Sequence, residues 1–491
     1  MAAGHPLKAT ARWAAAGLGT LIMMCVLGCA VGPDFVRPQP PAVEQYTREP
    51  QPAATVEADG QSQRFEIGTG VASDWWRLFG SPGLDDLMKE AFDRNQSLQA
   101  AQAGLRRSEE NLRAGHGVFY PQVNGTFEAA RLKSSQVRLG GVPAGSIFNL
   151  YTLAGTVGYA LDVFGGNRRA VESLQAQADL QRSAVAGTYL ALSGNIVNTA
   201  VASAAYRALI ESTRQIVEAE KEQIALTEAQ AEAGLVPYAN VLSIRTQMFA
   251  TEATIPQLQQ KVAQTEHLLA ALTGRTPAEW APPHFSLADL KLPPEIPVAL
   301  PSDLVRQRPD ILMAEAHLHS ASAEIGVATA ALFPNFSLNG AYGVNNTSLG
   351  DLFDGPGTFW SLGANVAAPL FQGGSLWFKR KAAIEAYNQA LATYRQTVHD
   401  AFAQVANVLR ALEHDAEALK SQSQALAAAE EALRLIQANY EAGLANYLQV
   451  LFANAQYHQA KIGYLQAVAQ RLQDTAALFV ALGGGWWSAH E

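Results

Sequence analysis

Cysteine is almost absent from this sequence: 491 residues contain only Cys25 and Cys29, so no disulfide framework holds the bulk of the chain. Charge is sparse at 16% of residues and leans acidic, with 35 Lys+Arg against 44 Asp+Glu and a formal net charge of −9. A nucleic-acid binder shows a basic patch or a basic domain, so that class of partner is excluded. After the first thirty positions no apolar run reaches the 18 or so residues a spanning helix requires, so helical membrane spans are not expected. Catalytic signatures are missing as well. There is no His-Glu-x-x-His, no cysteine cluster and no nucleophile elbow, and Gly483-Gly484-Gly485 lacks the Lys-Ser or Lys-Thr of a phosphate loop. His317 and His319 are two apart and do not share a helix face. Asp85-Asp86 suits the start of a helix, where acidic residues favour the macrodipole. The expectation is a chain that is not an enzyme and needs neither cofactor nor metal.

Lys8 and Arg12 precede an apolar stretch from Ala14 to Gly28, the layout of a secretory signal over residues 1–28. The stretch ends Val26-Leu27-Gly28-Cys29, which resembles a bacterial lipobox. Cleavage before Cys29 would leave a cysteine carrying S-diacylglycerol and an N-acyl chain such as palmitate. An ordinary signal peptide that contains a cysteine is the alternative. Ala30, rather than Asp, follows Cys29, which favours the outer membrane over retention at the inner one. Residues 29–73 are rich in Pro, Gln, Ala and Glu and read as a lipid-anchored tether, extended along a surface or free.

The chain repeats itself. Asn95-Gln96-Ser97-Leu98 through Phe119-Tyr120-Pro121-Gln122 matches Arg308-Pro309-Asp310-Ile311 through Leu332-Phe333-Pro334-Asn335 at an offset of 213. Glu232-Ala233-Gly234-Leu235 and Tyr238 match Glu441-Ala442-Gly443-Leu444 and Tyr447 at an offset of 209. These collinear matches make a tandem duplication. The first repeat covers 74–276, a proline-rich linker covers 277–301, the second repeat covers 302–482, and 483–491 form a tail. Each repeat opens with a helix, continues with two strands (about 119–130 and 148–163; about 333–344 and 358–371) and ends in a long helical hairpin (about 166–274; about 373–482).

The strands alternate. Tyr151, Leu153, Val157 and Tyr159 oppose Thr152, Ala154, Thr156 and Gly158, and Trp360, Leu362, Ala364 and Val366 oppose Ser361, Gly363 and Asn365. A soluble sheet with one wet face gives such a pattern. Strands of about 10 residues, with aromatics towards their ends and a small polar face, suit a membrane barrel with a watery interior. Four strands cannot close a barrel, so chains would share one, and three chains giving twelve strands leave room for a pore.

Proline is absent from Ala144 to Val236 and again from Leu370 to the C-terminus. A helix from Asn167 to Ala233 would be roughly 100 Å long and needs neighbours along its whole length, as in a coiled coil.

The sequence resembles the outer-membrane factor family, the outer-membrane efflux proteins of tripartite systems, in its lipoprotein branch. The resemblance is carried by Gly32-Pro33-Asp34-Phe35-Val36-Arg37-Pro38, Asp74-Trp75-Trp76-Arg77-Leu78-Phe79, Leu161-Asp162-Val163-Phe164-Gly165-Gly166, Gln307-Arg308-Pro309-Asp310-Ile311, Pro369-Leu370-Phe371-Gln372-Gly373-Gly374 and Tyr440-Glu441-Ala442-Gly443-Leu444. It implies an α+β membrane protein: a homotrimer whose 12-stranded outer-membrane β-barrel, four strands per chain, continues into a periplasmic α-helical barrel, with the linker in an equatorial layer. It also implies an inner-membrane efflux pump, proton-driven in the family's usual arrangement, and a periplasmic membrane-fusion adaptor that deliver drugs or other small solutes for passive exit. A lipid-anchored stalk that conducts nothing and a protein-secretion duct are the alternatives.

By the same resemblance the helical tips touch the adaptor through Gly234, Leu235, Tyr238, Gly443, Leu444 and Tyr447. Glycine closing a helix is a sufficient account of Gly234 and Gly443, and the two roles are compatible. The family narrows its tunnel just after the second turn, often with ringed carboxylates. Those positions hold Leu448, Gln449 and Phe452, none of them acidic, so an apolar and amide periplasmic gate is expected.

Overall fold

The computed structural model describes residues 30–133 and 147–486; residues 1–29, with the expected signal segment and Cys29, lie outside them, as do 134–146 and 487–491. In chain order the elements are β1 (Arg64–Ile67), a 3₁₀ turn (Trp75–Phe79), α1 (Pro82–Arg94), α2 (Gln96–His116), β2 (Gln122–Lys133), β3 (Ile147–Leu161), α3 (Gly166–Glu232), α4 (Tyr238–Glu252), α5 (Thr254–Leu272), β4 (Glu295–Val298), α6 (Pro301–Gln307), α7 (Pro309–Ala330), β5 (Asn335–Asn346), β6 (Thr358–Ala367), α8 (Ser375–Glu441) and α9 (Tyr447–Ala481).

Local chemistry sets most of these boundaries. Pro82, Pro301 and Pro309 each open a helix at its first position, where the missing N–H costs nothing. Asn95 ends α1 and caps α2, accepting the Leu98 N–H at 2.9 Å. β2 starts at Gln122, a little later than the expected bound of about 119, because Phe119 belongs to a 3₁₀ turn and Pro121 cannot donate to a ladder. β6 stops at Ala367, before Pro369, for the same reason. The second arm of the first helical hairpin is split into α4 and α5 at Ala253. Pro256 has no N–H for the Glu252 carbonyl, and its ring crowds that carbonyl. In the second repeat α9 has no proline and runs unbroken.

The chain divides into two compact units. One comprises Leu105–Gln181, Ala314–Tyr394 and the N-terminal residues to Arg37. It holds an antiparallel sheet in the order β2-β3-β5-β6. The register places Val123 opposite Val157, Val157 opposite Gly340 and Gly340 opposite Leu362, while Phe127, Leu153 and Val344 share another row. One face of the sheet is therefore apolar, and Phe127, Tyr342, Trp360, Leu362 and Val366 on it are exposed in the single chain. The opposite face carries Asn124, Thr156, Asn339 and Ser361. β2 and β6 are the edges.

The other unit comprises Pro38–Gly104, Arg182–Met313 and Arg395–Glu491. Its core includes Trp75, Phe79 and Phe479, with the Trp75 and Phe479 rings 5.3 Å apart. Leu84, Leu87, Met88 and Ala91 bury one face of α1. β1 and β4 form a parallel pair that joins the N-terminal segment to the inter-repeat linker, with Phe65 opposite Ile296. Neither strand is expected from the sequence, which leaves residues 29–73 as a tether. Arg471, buried on α9, holds the same segment by donating to Gln63 Oε1 at 3.2 Å and Thr55 Oγ1 at 3.1 Å. Among the described residues no helix is long and apolar enough to cross a membrane.

Candidate functional site

The two glycine turns close their helices in the same way. Gly234 N–H donates to Ala231 O at 3.0 Å and Leu235 N–H to Gln230 O at 2.9 Å. In the second repeat Gly443 N–H donates to Tyr440 O at 3.0 Å and Leu444 N–H to Asn439 O at 2.8 Å. This pair of bonds is the Schellman closure, which needs a left-handed residue at the first position after the cap. Gly234 (φ 73°) and Gly443 (φ 75°) supply it. The following leucines, Leu235 at 74% and Leu444 at 81% exposure, project into solvent.

After each turn the repeats diverge. Tyr238 opens α4 exposed at 56%, whereas Tyr447, its counterpart on α9, is 5% exposed. Tyr447 packs in a cluster with Val217, Ile224, Val241, Ile244 and Met248, and its ring meets Tyr440 edge-on at 6.3 Å. It is thus internal packing for the tip, whereas Tyr238, its counterpart among the expected adaptor contacts, is open to solvent. Tyr440 in turn donates to Gln230 Oε1 at 2.5 Å, and Arg245 pairs with Glu228. The Tyr440–Gln230 bond ties the two hairpins to each other near their turns, and the Arg245–Glu228 pair ties together the two arms of the first hairpin.

Asn446 caps α9 through a reciprocal box. Its side-chain oxygen accepts the Gln449 N–H at 3.1 Å, and Gln449 Oε1 accepts the Asn446 N–H at 2.8 Å. Gln449, a candidate gate residue, is therefore held against the backbone of its own turn. Leu448 and Phe452, the other two candidates, lie one helical turn apart and are 71% and 67% exposed. Together with Ile436, Leu451 and Ala455 they line a groove of about 500 Å³.

Farther along the same hairpins lies a buried titratable pair that the sequence does not announce. Glu220 on α3 and His458 on α9 face each other, with His458 Nε2 3.9 Å from Glu220 Oε1. Burial pushes the Glu220 carboxyl up to about 7, opposed by a hydrogen bond from Thr251. Burial also pushes the His458 imidazole down to about 4. Neither ring nitrogen of His458 nor the Tyr447 hydroxyl has a hydrogen-bond partner among the described residues. No group of three or more metal-ligating side chains occurs among those residues.

Comparison with known proteins gives this geometry its family. A family model described as outer membrane efflux protein matches residues 87–275 and 300–484, one stretch on each repeat. The pyoverdine export outer membrane protein OpmQ of Pseudomonas aeruginosa is 29% identical over 445 residues, which cover 88% of this chain and 92% of that one. The solvent efflux pump outer membrane protein SrpC of Pseudomonas putida is 28% identical over 464 residues, covering 94% and 96%. Among solved structures, the outer-membrane channel OprN superposes with a TM-score of 0.83 at 27% identity, covering 93% of this chain and 100% of that one. With both halves of the duplication matched by one family model, the chain belongs to the outer membrane efflux protein family, as an outer-membrane channel of an efflux system and not an enzyme.

Proposed function

We propose that three copies of this chain close one twelve-stranded barrel and a periplasmic tunnel of long helices, and that small solutes handed over by an inner-membrane pump and a periplasmic adaptor leave the cell through it. The observation that carries this reading is the open sheet β2-β3-β5-β6. Every pairing in it is antiparallel. With four strands, β6 of one copy therefore meets β2 of the next antiparallel, and the ring closes without a mismatch. An open edge in lipid would leave backbone groups unpaired at several kcal/mol each. Eight strands leave an interior filled by side chains, whereas twelve leave a lumen for the small polar face to line.

The remaining parts follow from the same reading. Cys29 carries N-acyl and S-diacylglycerol chains that anchor the chain to outer-membrane lipid; the lipobox-like Val26-Leu27-Gly28 supports this. Leu235, Tyr238 and Leu444 offer an adaptor exposed apolar side chains at turns shaped by Gly234 and Gly443. Leu448 and Phe452 form the periplasmic gate, with Gln449 fixing the start of their helix. Energy comes from the pump, whose coupling to protons is the family's usual arrangement. The cargo is a drug or other small organic solute, in keeping with relatives named for pyoverdine export and solvent efflux.

The test is electron microscopy of the detergent-solubilised mature protein with its mass measured in solution, followed by planar-bilayer recording. A three-fold particle with a lumen and discrete conductance steps is expected. A monomer, or a solid rod that conducts nothing, would overturn the proposal in favour of a lipid-anchored stalk.

A further inference from the structure

The two repeats enter their long helices through equivalent turns, Leu161–Gly166 and Pro369–Gly374, at an offset of 208, but the surfaces beside those turns differ. In the first repeat the cations are neutralised by the chain itself. Arg168 pairs with Asp162 at 3.2 Å, and Arg169, nearly buried, pairs with Asp34 at 2.5 Å and Glu172 at 2.7 Å. In the second repeat Asp162 is replaced by Leu370, Arg169 by Trp377 and Glu172 by Arg380. The first turn of α8 holds no acidic residue. Lys379, Arg380 and Lys381 follow one another in its second turn, and none of them makes an ion pair among the described residues.

Two of these cations, Arg380 and Lys381, are gathered on one ring. The Arg380 guanidinium lies 5.9 Å and Lys381 Nζ 5.6 Å from the centroid of the Trp377 indole, which is half exposed. Arg380 is further fixed by donating from Nε to Thr329 Oγ1 on α7 at 3.1 Å. Earlier in the chain, Leu370 at 95% and Phe371 at 89% exposure present bare apolar surface in the turn that follows β6 and leads into α8. A strand end of a membrane barrel is where tryptophan settles at headgroup level and lysine and arginine reach for phosphates.

We infer that Trp377, Arg380 and Lys381 form a docking site for an anionic phospholipid of the periplasmic leaflet, its phosphate held by the two cations and its acyl chains lying against Leu370 and Phe371. The inference rests on the reading that β2, β3, β5 and β6 span the outer membrane. Two cations that pair with no carboxylate among the described residues select a net negative headgroup over a zwitterionic one. A second copy of the chain covering the same face is the competing occupant.

The experiment reconstitutes the full chain in nanodiscs containing equal parts of phosphatidylglycerol and phosphatidylcholine, then counts retained lipids by native mass spectrometry. Trp377→Leu/Lys381→Gln is the variant, since it leaves the Arg380–Thr329 bond intact, and Lys420→Gln, far along α8, is the control. The wild type and the control should retain phosphatidylglycerol preferentially, and the double variant should lose that preference by roughly tenfold while keeping its oligomeric mass. Equal retention of phosphatidylglycerol by wild type and double variant would overturn the inference. Dissociation of the double variant in lipid-free detergent would also overturn it, by showing that another copy covers this face. Failure of the wild type to insert at all would instead defeat the membrane reading beneath it.

Discussion

Gly32 lies so close to Gly326 that a methyl group on Gly32 would sit 2.5 Å from the Gly326 Cα. This backbone contact seats the segment after Cys29 on α7. The residues that follow are each held in turn: Asp34 by Arg169, Phe35 by stacking on His319 at 4.3 Å, and Arg37 by Glu315 at 2.6 Å. The Gly-Pro-Asp-Phe-Val-Arg-Pro motif is therefore a set of anchor points along α3 and α7. Gly326→Ala would drive a methyl to within 2.6 Å of the Arg169 side chain and 3.0 Å of Val31 O. Overpacking of this kind costs about 1–3 kcal/mol. The expected outcome is faster amide exchange across residues 31–37 with exchange in α9 unchanged. If the segment keeps its protection in the variant, the contact is not what holds it.

The turn glycines support a separate prediction. Alanine at a left-handed position costs about 1–2 kcal/mol, and asparagine less. Gly443→Ala should therefore speed exchange of the amides from Asn439 to Asn446 by roughly tenfold, and Gly443→Asn should do so more weakly. Asn446→Ala removes the other half of the closure, the capping box, and should destabilise the start of α9 by about 1 kcal/mol. If alanine and asparagine behave alike at position 443, the left-handed backbone is not the constraint.

The sheet was legible because its signal is local. Leu338 and Tyr342 alternate with Ser337 and Asn339 whatever lies beside them, and the register sets them against Ala364 and Trp360 on the same face. The long helices were legible for the same kind of reason, since proline is missing over their length. β1 and β4 were not. They are four residues each, they pair across 231 positions, and Pro297 argues against a strand although Phe65 and Ile296 are both buried. Tyr447 shows the limit of reading one repeat from the other. It shares its position with Tyr238, yet one is buried by the neighbouring hairpin and the other is not, because duplication copies sequence and not surroundings. The capping box at Asn446 and Gln449 could have been read from its spacing. The pairing of Glu220 with His458 has no such spacing to betray it.

Glu220 gives the prediction for pH. Its carboxyl titrates near 7 in the folded chain against an ordinary 4.5, with burial as the main cause. Between those values the unfolded chain releases a proton that the folded chain keeps, so this group's contribution to stability falls as pH rises. Above pH 7 the deficit is about 3 kcal/mol. His458, pushed down from 6.5 to about 4, acts in the opposite sense, because the unfolded chain takes up a proton there that the folded chain refuses. The two slopes largely cancel between pH 4.5 and 6.5. Glu220→Gln should therefore melt at a temperature close to wild type at pH 4.5, gain steadily up to pH 7 and then hold its advantage. A difference in melting temperature that stays constant over that range would mean that burial does not shift the carboxyl away from its ordinary range.

Phe452 is where the gate proposal can be tested most directly. It and Leu448 point away from the packed cluster of Val241, Ile244 and Tyr447, and the groove they line holds no charged side chain. Three-fold repetition would bring three phenylalanine rings and three leucines around one axis, an apolar ring that hydrated ions cross only after losing water. Phe452→Ala should raise single-channel conductance several-fold and increase the passive entry of large antibiotics into cells carrying the variant. Phe452→Asp should raise conductance too and should favour cations, because it supplies the carboxylate ring this sequence lacks. A pore with the same conductance and selectivity in both variants would move the constriction away from the start of α9. Because Asn446 and Gln449 hold that helix start without help from Phe452, neither substitution disturbs the turn, and a change in conductance can be assigned to the side chain itself.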